Sequence, residues 1–302
     1  MLAVLGPTAS GKSDLAVELA RRLPAEIVNA DSMQLYVGLD IGTAKLSPAE
    51  RGGIAHHLLD VWPISRSASV ADYQRLAREV IAAVHARGKI PILVGGSGLY
   101  LRAALDRLEF PGESAAIRDR LYGELELVGP GVLHARLAAA DPAAATAILA
   151  SNGRRIVRAL EVIELTGRPF TATMPPFESV FRSVQIGVDR ADLDERVALR
   201  VRRMMQQGLL DEVRALLPLG LRASPTAGKA LGYAQLLACL DDAGAVRGDL
   251  AEAEAITVRA TRRFVRRQRS WFRKDPRTRW YDAARPDLVE AVLGDLPSIL
   301  EG

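Results

Sequence analysis

The sequence predicts an α/β protein whose parallel sheet is interrupted by a mostly helical insert. Over about the first hundred residues, apolar runs of strand length alternate with amphipathic helical repeats, the pattern of βαβ units. GPTASGKS, residues 6–13, stands between the first such run and the first helical repeat. From about Phe110 alanine-rich helical repeats replace the strand pattern, which returns near Val184.

The elements follow in chain order. Leu2–Leu5 is an apolar run that predicts a buried strand, and Lys12–Arg22 predicts the helix after it. Further strands are predicted over Glu26–Ala30, His57–Val61, Ile90–Val94 and Val184–Val188. Helices are predicted over Ala71–Arg87, between the last of these strands and about Leu217, and over Leu250–Arg273. The predicted domains are a discontinuous core, 1–110 with 184–302, and a helical insert, 111–183.

GPTASGKS matches G-x-x-x-x-G-K-[ST], a loop that cradles phosphates. Gly6 and Gly11 let backbone amides converge on an anion, and the following helix adds its N-terminal dipole. Lys12 supplies a mobile charge, and the Ser13 hydroxyl is a ligand for magnesium. The predicted fold is therefore a P-loop NTPase-like parallel sheet with helices on both faces. The motif predicts a bound di- or triphosphate without saying which.

Asp31 follows the second predicted strand, and we expect it beside the phosphate loop because parallel strands end at one edge of a sheet. A carboxylate there can accept a proton or hold magnesium through water. The alternative is a helix N-cap, since Asp31 and Ser32 both suit that position. The strong strand Ile90–Val94 ends in glycines rather than in the aspartate typical of an ATPase, which leaves Leu58-Leu59-Asp60 as the one alternative and argues against hydrolysis.

Charge and hydropathy restrict the partners. The net charge is +4, and Val258–Lys274 carries seven arginines and one lysine with no acidic residue. This segment is either a solvated basic helix or a surface for nucleic-acid phosphates. No run reaches the roughly 18 apolar residues of a membrane span, and no signal-peptide pattern is present, so we expect a cytoplasmic protein without membrane contact.

Six further strings accompany GPTASGKS in order along the chain. They are NADSMQLY at 29–36, DIGTAK at 40–45, HLLD at 57–60, VGGSGLY at 94–100, RALEV at 158–162 and RQRSWFR at 267–273. Together they resemble the tRNA dimethylallyltransferase family, and the resemblance covers nearly the whole chain.

The resemblance implies transfer of a dimethylallyl group from its diphosphate to the N6 amine of the adenosine 3′ of the anticodon. The tRNAs would be those that read codons starting with U, and the products N6-isopentenyladenosine and diphosphate. The phosphate loop would then hold a leaving diphosphate, with magnesium on Ser13 and Lys12 stabilising the developing charge. Asp31 would orient the amine and remove its proton.

The resemblance also implies the further site residues. Ser97 stands where the family usually has threonine, and its hydroxyl can still bond to tRNA or to the amine. The diphosphate contacts would be Gly6, Pro7, Thr8, Ala9, Ser10, Gly11, Lys12 and Ser13, with Arg196 and Arg200 as candidates for a clamp. The tRNA contacts would be Asp31, Ser32, Met33, Gln34, Ser97, Arg118, Arg154, Arg155, Ile156, Val157, Arg158 and Tyr233.

Alternatives remain for several of these residues. Arg196 and Arg200 could form a solvated basic face, and the insert arginines could pair with Glu161 or Glu164. Tyr233, in GKALGY at 228–233, could stack on a base or simply pack. Because a stacked base must be extruded to reach a buried Asp31, we predict a channel that RNA enters from one side and the diphosphate from the other. We expect a monomer that binds the tRNA anticodon stem-loop.

Two other functions share the phosphate loop. A small-molecule or nucleoside kinase would also need an adenine site and a lid with paired arginines, which no string marks as clearly. An RNA-binding NTPase switch without group transfer would instead hydrolyse nucleotide in response to RNA.

Overall fold

The computed structural model of the chain describes residues 1–170 and 174–301. A six-stranded parallel sheet forms its centre, with the strand order β3-β2-β4-β1-β5-β6. The strands are β1 (Leu2–Leu5), β2 (Ala25–Asn29), β3 (His56–His57), β4 (Ile90–Gly95), β5 (Val184–Asp189) and β6 (Thr278–Asp282). The predicted α/β class with a parallel sheet is confirmed.

Helices follow most strands. They are α1 (Lys12–Arg22), α2 (Val70–Ala86), α3 (Gly98–Leu105), α4 (Ala115–Ala140), α5 (Pro142–Ala147), α6 (Gly153–Thr166), α7 (Leu193–Gln206), α8 (Leu209–Leu216), α9 (Tyr233–Leu237), α10 (Leu250–Phe272) and α11 (Leu288–Glu301), with a 3₁₀ turn at Ala227–Lys229. None of these helices, over the residues described, is both long enough and apolar enough to cross a membrane.

The central strands lie close to where the sequence put them because each contains buried apolar residues. All four residues of β1 and all five of β2 are buried, as parallel strands covered on both faces require. The predicted strand at His57–Val61 is wrong in extent, because β3 ends at His57. Leu58 and Asp60 adopt left-handed backbone angles (φ 61° and 55°), which break an extended strand.

Strand order corrects one expectation about the site. β4 pairs with β1 on one side and with β2 on the other, so β2 and β1 are not neighbours. Asp31, which follows β2, is therefore one strand further from the phosphate loop than expected. Chain order does not fix strand order, because a crossover connection can skip a position in the sheet.

The chain divides into two compact units: Met1–Asp106 with Ser179–Gly302, and Arg107–Glu178. The sequence put these boundaries at 110/111 and 183/184. The second unit has its own buried apolar cluster, which includes Leu121, Leu137 and Leu160. Its long helix α4 is interrupted at Gly129, directly before Pro130.

Candidate active site

Three turns meet the carboxyl edge of the sheet. They are the P-loop (residues 6–13) after β1, the Asp31 turn (31–34) after β2 and the glycine turn (95–98) at the end of β4. Because β4 lies between β2 and β1, the glycine turn separates the other two. Neighbouring strands are about 4.8 Å apart, so the P-loop and the Asp31 turn are about 10 Å apart at the strand ends.

The P-loop wraps the N-terminus of α1. Gly11 caps the helix with a left-handed backbone (φ 90°), and the Ser10 amide donates to Pro7 O (3.3 Å). The first amides of an α-helix have no partner inside the helix. Together with the helix dipole they form an anion site at the predicted position.

Lys12 folds back over the loop, where its Nζ donates to Pro7 O (3.3 Å). Burial and, to a smaller extent, the nearby Arg200 guanidinium lower the pKa of Lys12 to about 8, while Asp31 and Asp14 oppose the shift. Lys12 of the P-loop and Arg200 therefore lie close enough to repel each other.

Helix α7 supplies the two predicted clamp arginines. Arg196 Nε donates to Ala9 O (2.9 Å), so this side chain bonds to the P-loop itself. Arg200 lies one turn later, and its Nη2 makes a long bond to Thr43 O (3.4 Å). Burial lowers the pKa of Arg200, but a guanidinium remains charged. The solvated-face alternative is therefore wrong for Arg200.

Two polar atoms at this edge have no partner. Ser10 Oγ and Arg200 Nε are buried and make no hydrogen bond within the described chain. Buried polar atoms are normally satisfied, so atoms left over in a site call for a polar ligand.

The Asp31 turn is fixed by Asn29, a residue without a predicted role. Asn29 Oδ1 accepts from the Asp31 amide (2.9 Å), and its Nδ2 donates to Asp31 O (3.0 Å) and Leu58 O (2.9 Å). Asp31 Oδ1 accepts from the Met33 amide (2.9 Å). No helix starts here, so the N-cap alternative is wrong. Asp31 Oδ2 accepts no hydrogen bond from the described residues.

Ser97 joins the glycine turn to the Asp31 turn. Its Oγ accepts from the Ser32 amide (3.2 Å) and lies 3.3 Å from Ser32 Oγ. The predicted catalytic serine therefore lies beside the predicted tRNA-contacting turn. Its contact with a substrate stays a prediction.

A loop over residues 39–46 covers the Asp31 turn. Gln34 Nε2 donates to Thr43 O (3.1 Å), the same carbonyl that Arg200 contacts. Glu212 of α8 holds this loop, because its carboxylate accepts from the consecutive amides of residues 40, 41 and 42 (3.2, 2.7 and 3.2 Å). Sequence reasoning missed Glu212, whose backbone partners in this loop lie about 170 residues away in the chain.

Tyr233 is a correction to the predicted tRNA contacts. Its side chain is fully buried, and its hydroxyl donates to Glu212 Oε1 (2.5 Å). Burial raises the pKa of Tyr233, so the phenol stays neutral. A ring with no exposed face cannot stack on a base, so the packing alternative is correct.

The predicted tRNA contacts in the insert fall into three groups. Ile156 and Val157 belong to the buried cluster of the unit, so their side chains do not face tRNA, and a contact through their backbone stays a prediction. Arg118 and Arg158 both bond to the buried Glu161 (3.0 Å each), as the ion-pair alternative states. The remaining two, Arg154 and Arg155, have exposed side chains.

The basic segment on α10 is partly neutralised from elsewhere in the chain. Arg269 forms a bidentate pair with Asp189, in which Nη2 donates to Oδ1 (2.9 Å) and Nε to Oδ2 (3.1 Å), and Arg273 stacks on Trp280. The exposed cations of this segment include Arg263, Arg266, Arg267 and Lys274. The exposed cations could be solvated or bind nucleic-acid phosphates, so both predicted interpretations remain open for them.

Comparison with known proteins identifies the family. A family model described as IPP transferase matches residues 34–275. The chain is 65% identical over 292 residues to the tRNA dimethylallyltransferase of Streptomyces avermitilis, which covers 96% of this chain and 92% of that protein. It is 62% identical over 299 residues to the tRNA dimethylallyltransferase of Thermobifida fusca, with the same coverage.

Solved structures agree. The full-length tRNA isopentenylpyrophosphate transferase from Bacillus halodurans superposes with a TM-score of 0.72 at 37% identity, over 99% of this chain and 96% of that one. A eukaryotic dimethylallyltransferase acting on tRNA superposes with a TM-score of 0.81 at 25% identity, over 99% of this chain and 79% of that one.

Proposed function

Because the chain belongs to the IPP transferase family, we propose that it transfers a dimethylallyl group from dimethylallyl diphosphate to tRNA. The acceptor is the N6 amine of the adenosine 3′ of the anticodon, in tRNAs that read codons starting with U. The allylic C–O bond breaks, an N–C bond forms, and the amine loses one proton. The products are N6-isopentenyladenosine and diphosphate.

The observation that carries this proposal is the buried cation pair of Lys12 and Arg200 at the P-loop. Neither side chain forms an ion pair among the described residues, Asp31 and Asp14 attract them only from a distance, and Arg200 Nε and Ser10 Oγ lack partners. A diphosphate supplies the missing charge and hydrogen-bond acceptors. Its charge grows as the allylic carbon ionises, so these groups bind the transition state more strongly than the substrate.

Asp31 accepts the proton from the amine. One of its oxygens is fixed by the Met33 amide, which leaves Oδ2 to face a substrate. The N6 lone pair is delocalised into the adenine ring, so a positioned base assists its attack. Ser97 and Ser32 lie beside Asp31 and supply hydroxyls that orient the same amine.

Magnesium fits the donor set at the P-loop through Ser13. The described residues contain no group of three or more His, Cys, Asp or Glu side chains able to hold a metal ion. Mg²⁺ commonly uses one or two protein ligands with substrate phosphates and water. In this proposal Ser13 provides the protein ligand, and bound magnesium would neutralise charge on the departing diphosphate.

The tRNA side of the proposal uses the insert. The exposed Arg154 and Arg155 contact backbone phosphates of the anticodon stem-loop, and the target adenosine leaves its stack to reach Asp31. We propose that the protein acts as a monomer, and in the cytoplasm, where its tRNA substrate is found.

One incubation tests the function. Purified protein, magnesium and unmodified tRNA are mixed with dimethylallyl diphosphate labelled in the allyl group. We expect label in the tRNA and one diphosphate released per label transferred. Unlabelled tRNA together with ATP turnover would contradict the proposal and favour an RNA-binding NTPase. Phosphate transfer from ATP to a small molecule would favour a kinase.

Asp31→Asn tests the assigned base. The amide keeps the shape of the side chain but cannot take a proton, so the transfer rate with both substrates bound should fall by about a hundredfold or more. The dissociation constants for tRNA and dimethylallyl diphosphate should change little. Equal losses in affinity and rate would assign Asp31 a binding role instead.

A further inference from the structure

Gln268 of α10 lies between two of the site turns. Its side chain is buried, its Oε1 accepts from the Thr8 amide (2.9 Å), and its Nε2 donates to Gly96 O (2.8 Å). One side-chain amide therefore uses its acceptor on the P-loop and its donor on the glycine turn. Both partners are backbone groups, more than 170 residues away in the sequence.

Neighbouring residues on α10 fit the same two turns. Val265, three residues before Gln268, packs in one cluster with Ala9 of the P-loop. Trp271, three residues after it, packs so closely on the glycine turn that a Cβ at Gly98 would lie 2.2 Å from the indole ring. Residues three apart share one helix face, so one rigid helix face meets both turns.

We propose that Gln268 is a positioning residue that sets the distance between the diphosphate and the attacking amine. The inference rests on the function proposed above, in which the P-loop holds the diphosphate. The glycine turn carries Ser97, which bonds to the Asp31 turn. Gln268 therefore links the loop that holds the leaving group to the turns that orient the acceptor.

Hydrogen bonds that do not involve Gln268 also hold the P-loop and the glycine turn. The P-loop is closed by Lys12 Nζ on Pro7 O, and the Ser97–Ser32 contact joins the glycine turn to the Asp31 turn. Each substrate can therefore bind without Gln268, whereas the alignment of the two depends on it. Loss of the link should lower the rate of transfer far more than the affinity for either substrate, since a misplacement of about 1 Å can cost about a hundredfold in rate.

Gln268→Met is the first variant, because methionine has a similar volume and shape and removes both hydrogen bonds. We expect kcat to fall by about thirtyfold or more, with the dissociation constants for dimethylallyl diphosphate and tRNA each within about threefold of wild type. An unchanged kcat, or equal losses in kcat and affinity, would overturn the proposal. Wild-type protein that transfers no label would instead overturn the proposed function.

Gly96→Ala breaks the same link from the other side. The added Cβ would lie 2.6 Å from Gln268 Nε2, but only at ordinary contact distance (3.5 Å) from Gly6 O and Lys12 Nζ. We expect a similar loss of kcat, and the double variant should lose little more than either single one, because both remove one interaction. Multiplied losses in the double variant would overturn the link. If Gln268→Met does not fold, the split between kcat and affinity in Gly96→Ala decides the proposal.

Thr257→Val is the matched control on α10. Thr257 is buried on the same helix, and its Oγ1 donates to Ala253 O within that helix. Thr257 forms no hydrogen bond to either site turn, so kcat should remain within about twofold of wild type. A loss equal to that of Gln268→Met would assign the effect to the packing of the helix and overturn the proposal.

Discussion

Arginines in the insert and cations at the sheet edge have opposite surroundings. In the insert, Arg118 and Arg158 share the buried carboxylate of Glu161, which also accepts from the Ser114 amide (2.9 Å). At the sheet edge, Lys12 and Arg200 lie near each other and form no ion pair in the described chain, although the charges of Asp31 and Asp14 attract both from a greater distance.

The difference separates structural charge from functional charge. A buried cation without a partner is costly, so a fold keeps one only where a ligand will neutralise it. A cation already paired with a buried carboxylate contributes to the fold, and removal of either partner leaves an uncompensated charge. Cationic residue types alone do not distinguish the two cases.

Arg200→Met should show the largest effect. The transfer rate should fall by about a hundred- to a thousandfold, because a preorganised cation is lost from the leaving group. The thermal midpoint of the free protein should be unchanged or higher, since the repulsion with Lys12 disappears. Steady-state kinetics and thermal melts measure the two quantities.

Arg196→Met is the matched comparison, one turn earlier on α7. Its side chain already bonds to Ala9 O, so we expect a smaller loss of rate. A marked loss of stability in Arg200→Met would contradict the contrast between the two regions.

Glu161→Gln should lower the stability of the insert. The amide cannot neutralise Arg118 and Arg158, so the free energy of unfolding of the insert should fall by about 2 to 3 kcal/mol. Hydrogen exchange of the α6 amides measures that loss. Glu126→Gln, on the exposed surface of α4, should change stability by less than about 0.5 kcal/mol. Equal effects of the two variants on the free energy of unfolding would show that the buried ion pairs of Glu161 do not stabilise the insert.

The pKa of Lys12 predicts the smallest effect, on substrate affinity. Burial and Arg200 lower that pKa to about 8, against the opposing charges of Asp31 and Asp14. Lys12 loses its proton as the pH rises through this value, so affinity for dimethylallyl diphosphate should fall by up to about tenfold per pH unit above it.

Calorimetry without tRNA measures this slope between about pH 8 and 9.5, the range in which a lysine with the lowered pKa titrates. Lys12→Met should bind more weakly throughout and show no slope over this range. A slope that persists in Lys12→Met would belong to another group.

Contiguous features were predicted best. The P-loop, Asp31 and Ser97 lie at strand ends, as the motifs and apolar runs indicated. β6 was missed because its five residues, TRWYD, include two charged side chains and a threonine and form no apolar run. Tyr233 was misassigned because a motif does not state whether its tyrosine is exposed.

The sequence alone determined the chemistry of each turn, because an anion-binding loop needs only eight consecutive residues and the helix that follows them. Tertiary structure decided which turns are neighbours and which cations have partners. It placed β4 between β1 and β2, Gln268 between the P-loop and the glycine turn, and Glu161 against two arginines. The partners of Gln268 lie 260 and 172 residues away. Contacts over such separations depend on how the whole chain packs, which no local pattern encodes.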